Sequence, residues 1–286
     1  MRQRSAQPLL HCRSFGDPGA EPVLLVHGMG SSGADWAFQI EPLAARFRVL
    51  VPDLPGAGAS PAPSRHAIAD YAAQLLALLD ALAVARTHCV GFSMGGAVAL
   101  ELALQAPSRI SRLATINSLP SYRPDTWRKR LELHGQLGLV RLLGLRRSAA
   151  LVGRRLFPHP HQQAMRERVQ QVLATYPKST YVGQARALAG WCSRERLSGF
   201  ALPMLMLSAE HDYTPLEEKQ AWARQLGAEL RMVRGSRHGT PFDAIAATNA
   251  ALLHFLAGEA VPEALAVDAP EHTPNAAPEV LAALER

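Results

Sequence analysis

A chain of 286 residues holds enough material for one large or two small domains around a buried core. With 48% hydrophobic and 19% charged residues, and Gly and Pro at 21 each without a period, it is neither collagen-like nor globally disordered. The net charge of +6 is unevenly placed: residues 120–197 carry 15 Lys and Arg against 4 Asp and Glu, while residues 259–286 carry 1 against 6, so a basic middle is followed by an acidic end. Three cysteines (Cys12, Cys89, Cys192), odd in number and without a CxxC pair, close no disulfide framework and suggest a reducing, cytoplasmic setting. Residues 1–8 lead only into Leu9-Leu10 before polar residues return, so no secretory signal is expected. The most apolar stretch, Leu75 to Ala85, is too short for a membrane span and contains Asp80.

Short apolar runs ending in turn residues recur along the chain: Pro22 to Val26 before His27-Gly28, Phe47 to Asp53, Thr87 to Gly91, Arg112 to Asn117, Pro203 to Ser208 and Leu230 to Val233. Each reads as a strand buried on both faces of a parallel sheet. Between them, Ile68 to Val84, Gly95 to Gln105, Leu216 to Leu226 and Ala244 to Leu256 have helical spacing. Strands alternating with helices predict an α/β fold with a doubly wound, mostly parallel sheet. The rhythm stops near Pro120 and resumes at Pro203. The expected organisation is therefore a core over 9–119 and 198–258, an inserted helical module over 120–197, and a flexible acidic tail over 259–286, with a turn of helix at Glu279 to Arg286.

Gly91-Phe92-Ser93-Met94-Gly95 is a GxSxG motif between an apolar strand and an Ala/Leu-rich helix. That context suits a nucleophile held on a sharp strand-to-helix turn. A serine hydroxyl needs a base to take its proton and a carboxylate to hold that base in one tautomer. His238 follows the strand at Leu230 to Val233, in a loop at the carboxyl end of the sheet, and is the expected base. His254 reads as a helix-packing histidine and His27 as an organiser of its own loop.

With these residues in hand, the chain from Leu9 to Gly258 resembles the α/β-hydrolase family. His27-Gly28-Met29-Gly30 is similar to that family's oxyanion loop, and Asp53-Leu54-Pro55-Gly56-Ala57-Gly58-Ala59-Ser60 to its D-x-P-G-x-G-x-S segment. The latter lacks the third Gly and the immediate helix of a dinucleotide loop. The resemblance implies Asp212 as the acid, with Glu210 its rival, and the backbone amides of Met29 and Met94 as oxyanion donors. Asp53 precedes Ser93 in the chain and reads as structural.

The module's place in the family, as a helical cap, implies an acyl pocket, with Trp127, Phe157 and Trp191 as candidate substrate-binding residues. Its clusters Arg128-Lys129-Arg130, Arg146-Arg147 and Arg154-Arg155 read most plainly as solvated helix faces. A sharper reading makes them attractive to an anionic substrate or an acidic acyl carrier protein. The loop at His27 and Thr115 to Pro120 also resemble the pimeloyl-acyl-carrier methyl esterase group. No nucleic-acid module, metal site or cofactor motif is recognised; His159-Pro160-His161 lacks a third ligand. The resulting expectation is a serine hydrolase of small-molecule carboxylic esters, needing no cofactor. A carbon–carbon bond hydrolase, a cofactor-free lyase or a ligand receptor without turnover are the alternatives on the same scaffold.

Overall fold

The computed structural model describes residues 9–268. Eight strands form one sheet: β1 (Cys12–Phe15), β2 (Pro22–Val26), β3 (Arg48–Pro52), β4 (Thr87–Phe92), β5 (Ile110–Ile116), β6 (Met204–Ala209), β7 (Glu229–Arg234) and β8 (Leu265–Ala266). Their order is β1-β3-β2-β4-β5-β6-β7-β8, with β1 antiparallel to β3 and every other neighbouring pair parallel. The helices are α1 (Ala37–Ala44), α2 (Ile68–Ala81), α3 (Met94–Gln105), α4 (Trp127–Leu156), α5 (Gln163–Thr175), α6 (Lys178–Gly190), α7 (Leu216–Leu226), α8 (Thr240–Asp243) and α9 (Ile245–Ala257).

The continuous apolar runs are explained by helices on both faces. Alternate residues of one strand enter different cores: Leu24, Val26, Leu50, Met204 and Met206 pack with α2, α3 and α7, whereas Val23, Leu25, Val49, Leu205 and Leu207 pack with α1 and α9. From β2 the chain first moves to β3 on one side and then crosses to β4 on the other. The crevice at this reversal, outside the carboxyl ends of β2 and β4, is where open α/β sheets bind ligands. The loops at His27 and Ser93 begin there.

Helices α4, α5 and α6 form the insertion between β5 and β6. It rests on the loops at the carboxyl end of the sheet. A Cβ at Gly30 would stand 3.0 Å from both Leu173 and Tyr181, and one at Gly56 3.0 Å from Thr180. Arg168 donates to the Ala34 carbonyl at 3.0 Å. No helix among the described residues is long and apolar enough to cross a membrane.

Glu101, buried on α3, fastens the far end of the insertion. Its carboxylate accepts from Trp191 Nε1 at 2.8 Å, from Arg196 at 2.8 and 2.6 Å, and from Gln105 at 2.9 Å. Burial pushes its pKa up, but these hydrogen bonds outweigh that and hold it below the ordinary 4.5. The stability it contributes is therefore fully present above pH 4.5 and is lost as pH falls through the lowered value. Glu101→Ala leaves the indole N–H and the guanidinium without their acceptor. It is expected to destabilise the fold by about 2–3 kcal/mol in urea denaturation at neutral pH, less than for a fully enclosed pair because the Arg196 side chain is 46% exposed.

The tail expected over 259–286 does not begin at 259. Leu265 and Ala266 pair in parallel with Val233 and Arg234, and Asp268 accepts from the first amides of α9, Ile245 N at 2.8 Å and Ala246 N at 3.1 Å. An acidic side chain suits that helix N-terminus, so part of the acidic composition is a cap for α9. The expected turn at Glu279 to Arg286 lies outside the described residues.

Candidate active site

Ser93 links β4 to α3 with φ 53° and ψ −119°, a conformation costing about 1–3 kcal/mol in a non-glycine residue. The neighbouring glycines make the turn possible by close approach. A Cβ on Gly91 would lie 2.3 Å from the Gly95 carbonyl oxygen, and one on Gly95 2.1 Å from that of Val26. Two hydrogen bonds fix the turn: Ser93 N donates to Ile116 O at 2.9 Å and Gly96 N to Ser93 O at 3.0 Å.

Ser93, His238 and Asp212 meet in one row. His238 Nε2 lies 2.9 Å from Ser93 Oγ, and Nδ1 lies 2.6 Å from Asp212 Oδ1. Asp212 is an acceptor only: burial pushes its pKa up, but the His238 hydrogen bond and charge, then Lys219, overcome this and hold it well below the carboxylate range. Nδ1–H therefore donates to Asp212, Nε2 is left as the acceptor, and the serine O–H donates to it. Glu210 is elsewhere, accepting from Gly235 N at 2.8 Å.

The His238 loop is fixed on several sides. Asn117, at the end of β5 with φ 48°, donates to His238 O at 2.8 Å and Thr240 Oγ1 at 2.7 Å, while its own Oδ1 accepts from Ala209 N at 2.7 Å. Asp243 accepts from Ser236 Oγ at 2.7 Å and Arg237 N at 3.0 Å. Tyr213 stacks on the imidazole with centroids 4.6 Å apart, and the Arg155 guanidinium lies 4.8 Å above Tyr213. Neither the positioning role of Asn117 nor this stack is legible in the sequence.

His27 organises the loop after β2. Leu54 N donates to its Nε2 at 2.9 Å, so Nδ1–H donates to Gly28 O at 2.8 Å, and burial lowers the pKa of this neutral ring. Gly28 adjoins the nucleophile: a Cβ there would stand 3.6 Å from Ser93 Cβ. Met94 supplies the first N–H of α3 and buries its side chain in the core, while Met29 packs between the core and the insertion. Asp53 makes structural bonds to Gly33 N at 2.8 Å and Ala59 N at 3.0 Å. His254 pairs with Glu259 at 3.3 Å near the end of α9.

The three candidate pocket aromatics have different surroundings. Phe157 is buried against the His238 loop, where a Cβ on Gly239 would meet its Cζ at 2.7 Å, and it packs edge-on to Phe242. Trp191 is a correction: it is buried against α3 and donates to Glu101, because its N–H requires an acceptor there. Trp127 is another. As the first residue of α4 it is 69% exposed, with Arg128 over its ring. His159 and His161 stack on each other, and no metal-holding group of three ligands occurs among the described residues.

Comparison with known proteins agrees with this architecture. The sequence profile of the alpha/beta hydrolase fold family matches residues 21–243. A protein of Caulobacter vibrioides named as a candidate carbamate hydrolase, RutD, is 31% identical over 262 residues, covering 87% of this chain and 96% of its own. The enol-lactonase of Burkholderia xenovorans superposes with a TM-score of 0.75 at 27% identity, over 87% of this chain and 96% of that one. A thermophilic esterase from Thermogutta terrifontis gives a TM-score of 0.77 at 26% identity, over 87% and 93%.

Proposed function

The chain belongs to the alpha/beta hydrolase fold family, and on that footing we propose that it hydrolyses small carboxylic esters through an acyl-enzyme on Ser93. The observation that carries this reading is the continuous hydrogen-bonded row from Ser93 Oγ through His238 to Asp212. His238 Nε2 takes the serine proton as Oγ attacks the ester carbonyl, then returns it to the leaving alcohol. Asp212 holds the ring and stabilises the imidazolium. Water, activated by the same nitrogen, releases the acyl group. The amides of Met29 and Met94 are the proposed donors to the developing oxyanion, one such donor contributing about 2.7–4 kcal/mol.

The exposed cations of the insertion, Arg146, Arg147, Arg154 and Arg155 among them, favour an anionic acyl group. An acidic acyl carrier protein, as used by the pimeloyl-acyl-carrier esterase group, is the macromolecular partner such a surface suits. The test is a panel of esters varying in chain length and terminal charge, with carbamates included because of the RutD relatives, at low and high salt. Ester turnover should dominate, and the preference for anionic over neutral esters should fall as salt rises. A preference unmoved by salt would contradict the role of these cations, and carbamate turnover alone would contradict the ester assignment.

A further inference from the structure

Lys219 lies on α7 with only 1% of its surface exposed. Fully buried lysines are rare unless paired. Its ammonium donates to Asp212 Oδ2 at 2.5 Å and to Ser208 Oγ at 2.7 Å. The other oxygen of the same carboxylate accepts from His238 Nδ1 at 2.6 Å, and the Lys219 and Asp212 side chains are each 2% exposed. An ammonium and an imidazole thus share one carboxylate, the ammonium and the carboxylate buried and the His238 side chain 16% exposed. Thr214 Oγ1 adds a third donor at 3.0 Å, on the oxygen that faces Lys219.

We propose that Lys219 is a positioning residue that holds Asp212 and offsets its charge, so that His238 remains a free base at lower pH than Asp212 alone would allow. This inference rests on the catalytic reading of Ser93, His238 and Asp212. A lone buried carboxylate stabilises the imidazolium in the resting enzyme as well as in the transition state, which removes the base as pH falls. A cation behind that carboxylate cancels part of its field at the ring, and burial keeps the effect from being screened.

The other groups facing the row do not duplicate it. Tyr213 on the imidazole and Tyr122, whose hydroxyl is bonded to Ser118 Oγ and the Leu119 amide, are phenols pushed up to about 12 by burial and stay neutral. Phe92 covers the ring from 5.5 Å without charge. Arg155 lies beyond the Tyr213 ring. Asp243 accepts from the Arg237 backbone N–H at 3.0 Å within the His238 loop, and burial pushes the Asp243 pKa up. Glu218, next to Lys219, reaches Lys129 at 3.5 Å. Burial lowers the pKa of Lys219 itself, but contact with Asp212 opposes that and favours the ammonium.

The experiment measures kcat/KM against pH for a neutral ester with wild type, Lys219→Met, Lys219→Arg and Ser93→Ala. Removing the positive charge favours imidazolium. The acid limb of Lys219→Met should therefore move about one unit to higher pH, a loss of about tenfold on that limb, and Lys219→Arg should bring it back. A limb unmoved in Lys219→Met, or moved equally in Lys219→Arg, overturns the proposal and leaves Lys219 a structural pin. If circular dichroism shows Lys219→Met unfolded, the ¹⁵N spectrum of lysine-labelled wild type decides. A Lys219 ammonium charged throughout the acid limb supports the proposal, and a neutral amine there overturns it. Failure of the catalytic reading itself is seen separately, as a Ser93→Ala protein that keeps the wild-type rate.

Discussion

Replacement of Ser93 by Ala should lower kcat for an activated ester by about 10^5–10^6-fold, with little change in KM or stability. The strained turn is set by the close approach of Gly91 and Gly95 to backbone carbonyls and by the Ser93 amide bond to Ile116, none of which involves the hydroxyl. Only the nucleophile is removed. His238→Ala should give a loss of similar size, and the double variant should be no worse than either single one, because the two groups act in the same step. Stopped-flow release of para-nitrophenol, with thermal melts as the control for folding, measures both quantities. Additive losses would mean that Ser93 and His238 act independently.

Asp212→Asn should reduce kcat by about 10^4-fold, and the surroundings of the carboxylate say why. On the Oδ2 side, Lys219 and Thr214 are both donors. An asparagine at 212 must turn its carbonyl oxygen toward them, which aims its NH2 at His238 Nδ1. That nitrogen then becomes an acceptor, the proton moves to Nε2, and the ring can no longer accept the proton of Ser93. The loss should fall on kcat, with KM nearly unchanged. Retention of more than about a tenth of wild-type kcat would show that the tautomer is not set by Asp212.

Much of this was readable from residues alone, for identifiable reasons. Strands buried on both faces are continuous apolar runs, and β2 to β7 fall within or beside the runs expected for them. The GxSxG turn is legible because backbone approach admits only glycine at its flanks. β1 and β8 are not legible: the first is a half-exposed Cys-Arg-Ser-Phe edge and the second has two residues. Trp127 and Trp191 show where composition runs out, since an aromatic in an amphipathic insertion can face solvent, a cleft or the core. The partner of Trp191 is Glu101, ninety residues earlier.

Lys219 is the instructive case. In Leu216-Glu217-Glu218-Lys219 it resembles an ordinary solvated helix charge, yet it shares the spacing of Trp222, Ala223 and Leu226, the buried stripe of α7. A lysine on an apolar stripe is a signal that a buried counter-charge awaits it. Asn117 carries no such signal, since the sequence shows it only as the end of an apolar run. Its reach to His238 depends on the crossing from β5 to β6 and β7, which no local pattern encodes.

The most direct measurement is an acid-quenched reaction of the wild-type protein with a para-nitrophenyl ester, followed by mass spectrometry of the peptides. A burst of about one para-nitrophenol per chain and an acyl group on Ser93 are expected, both absent from Ser93→Ala. Steady turnover with no acyl group on Ser93, continuing undiminished in Ser93→Ala, would contradict the acyl-enzyme reading.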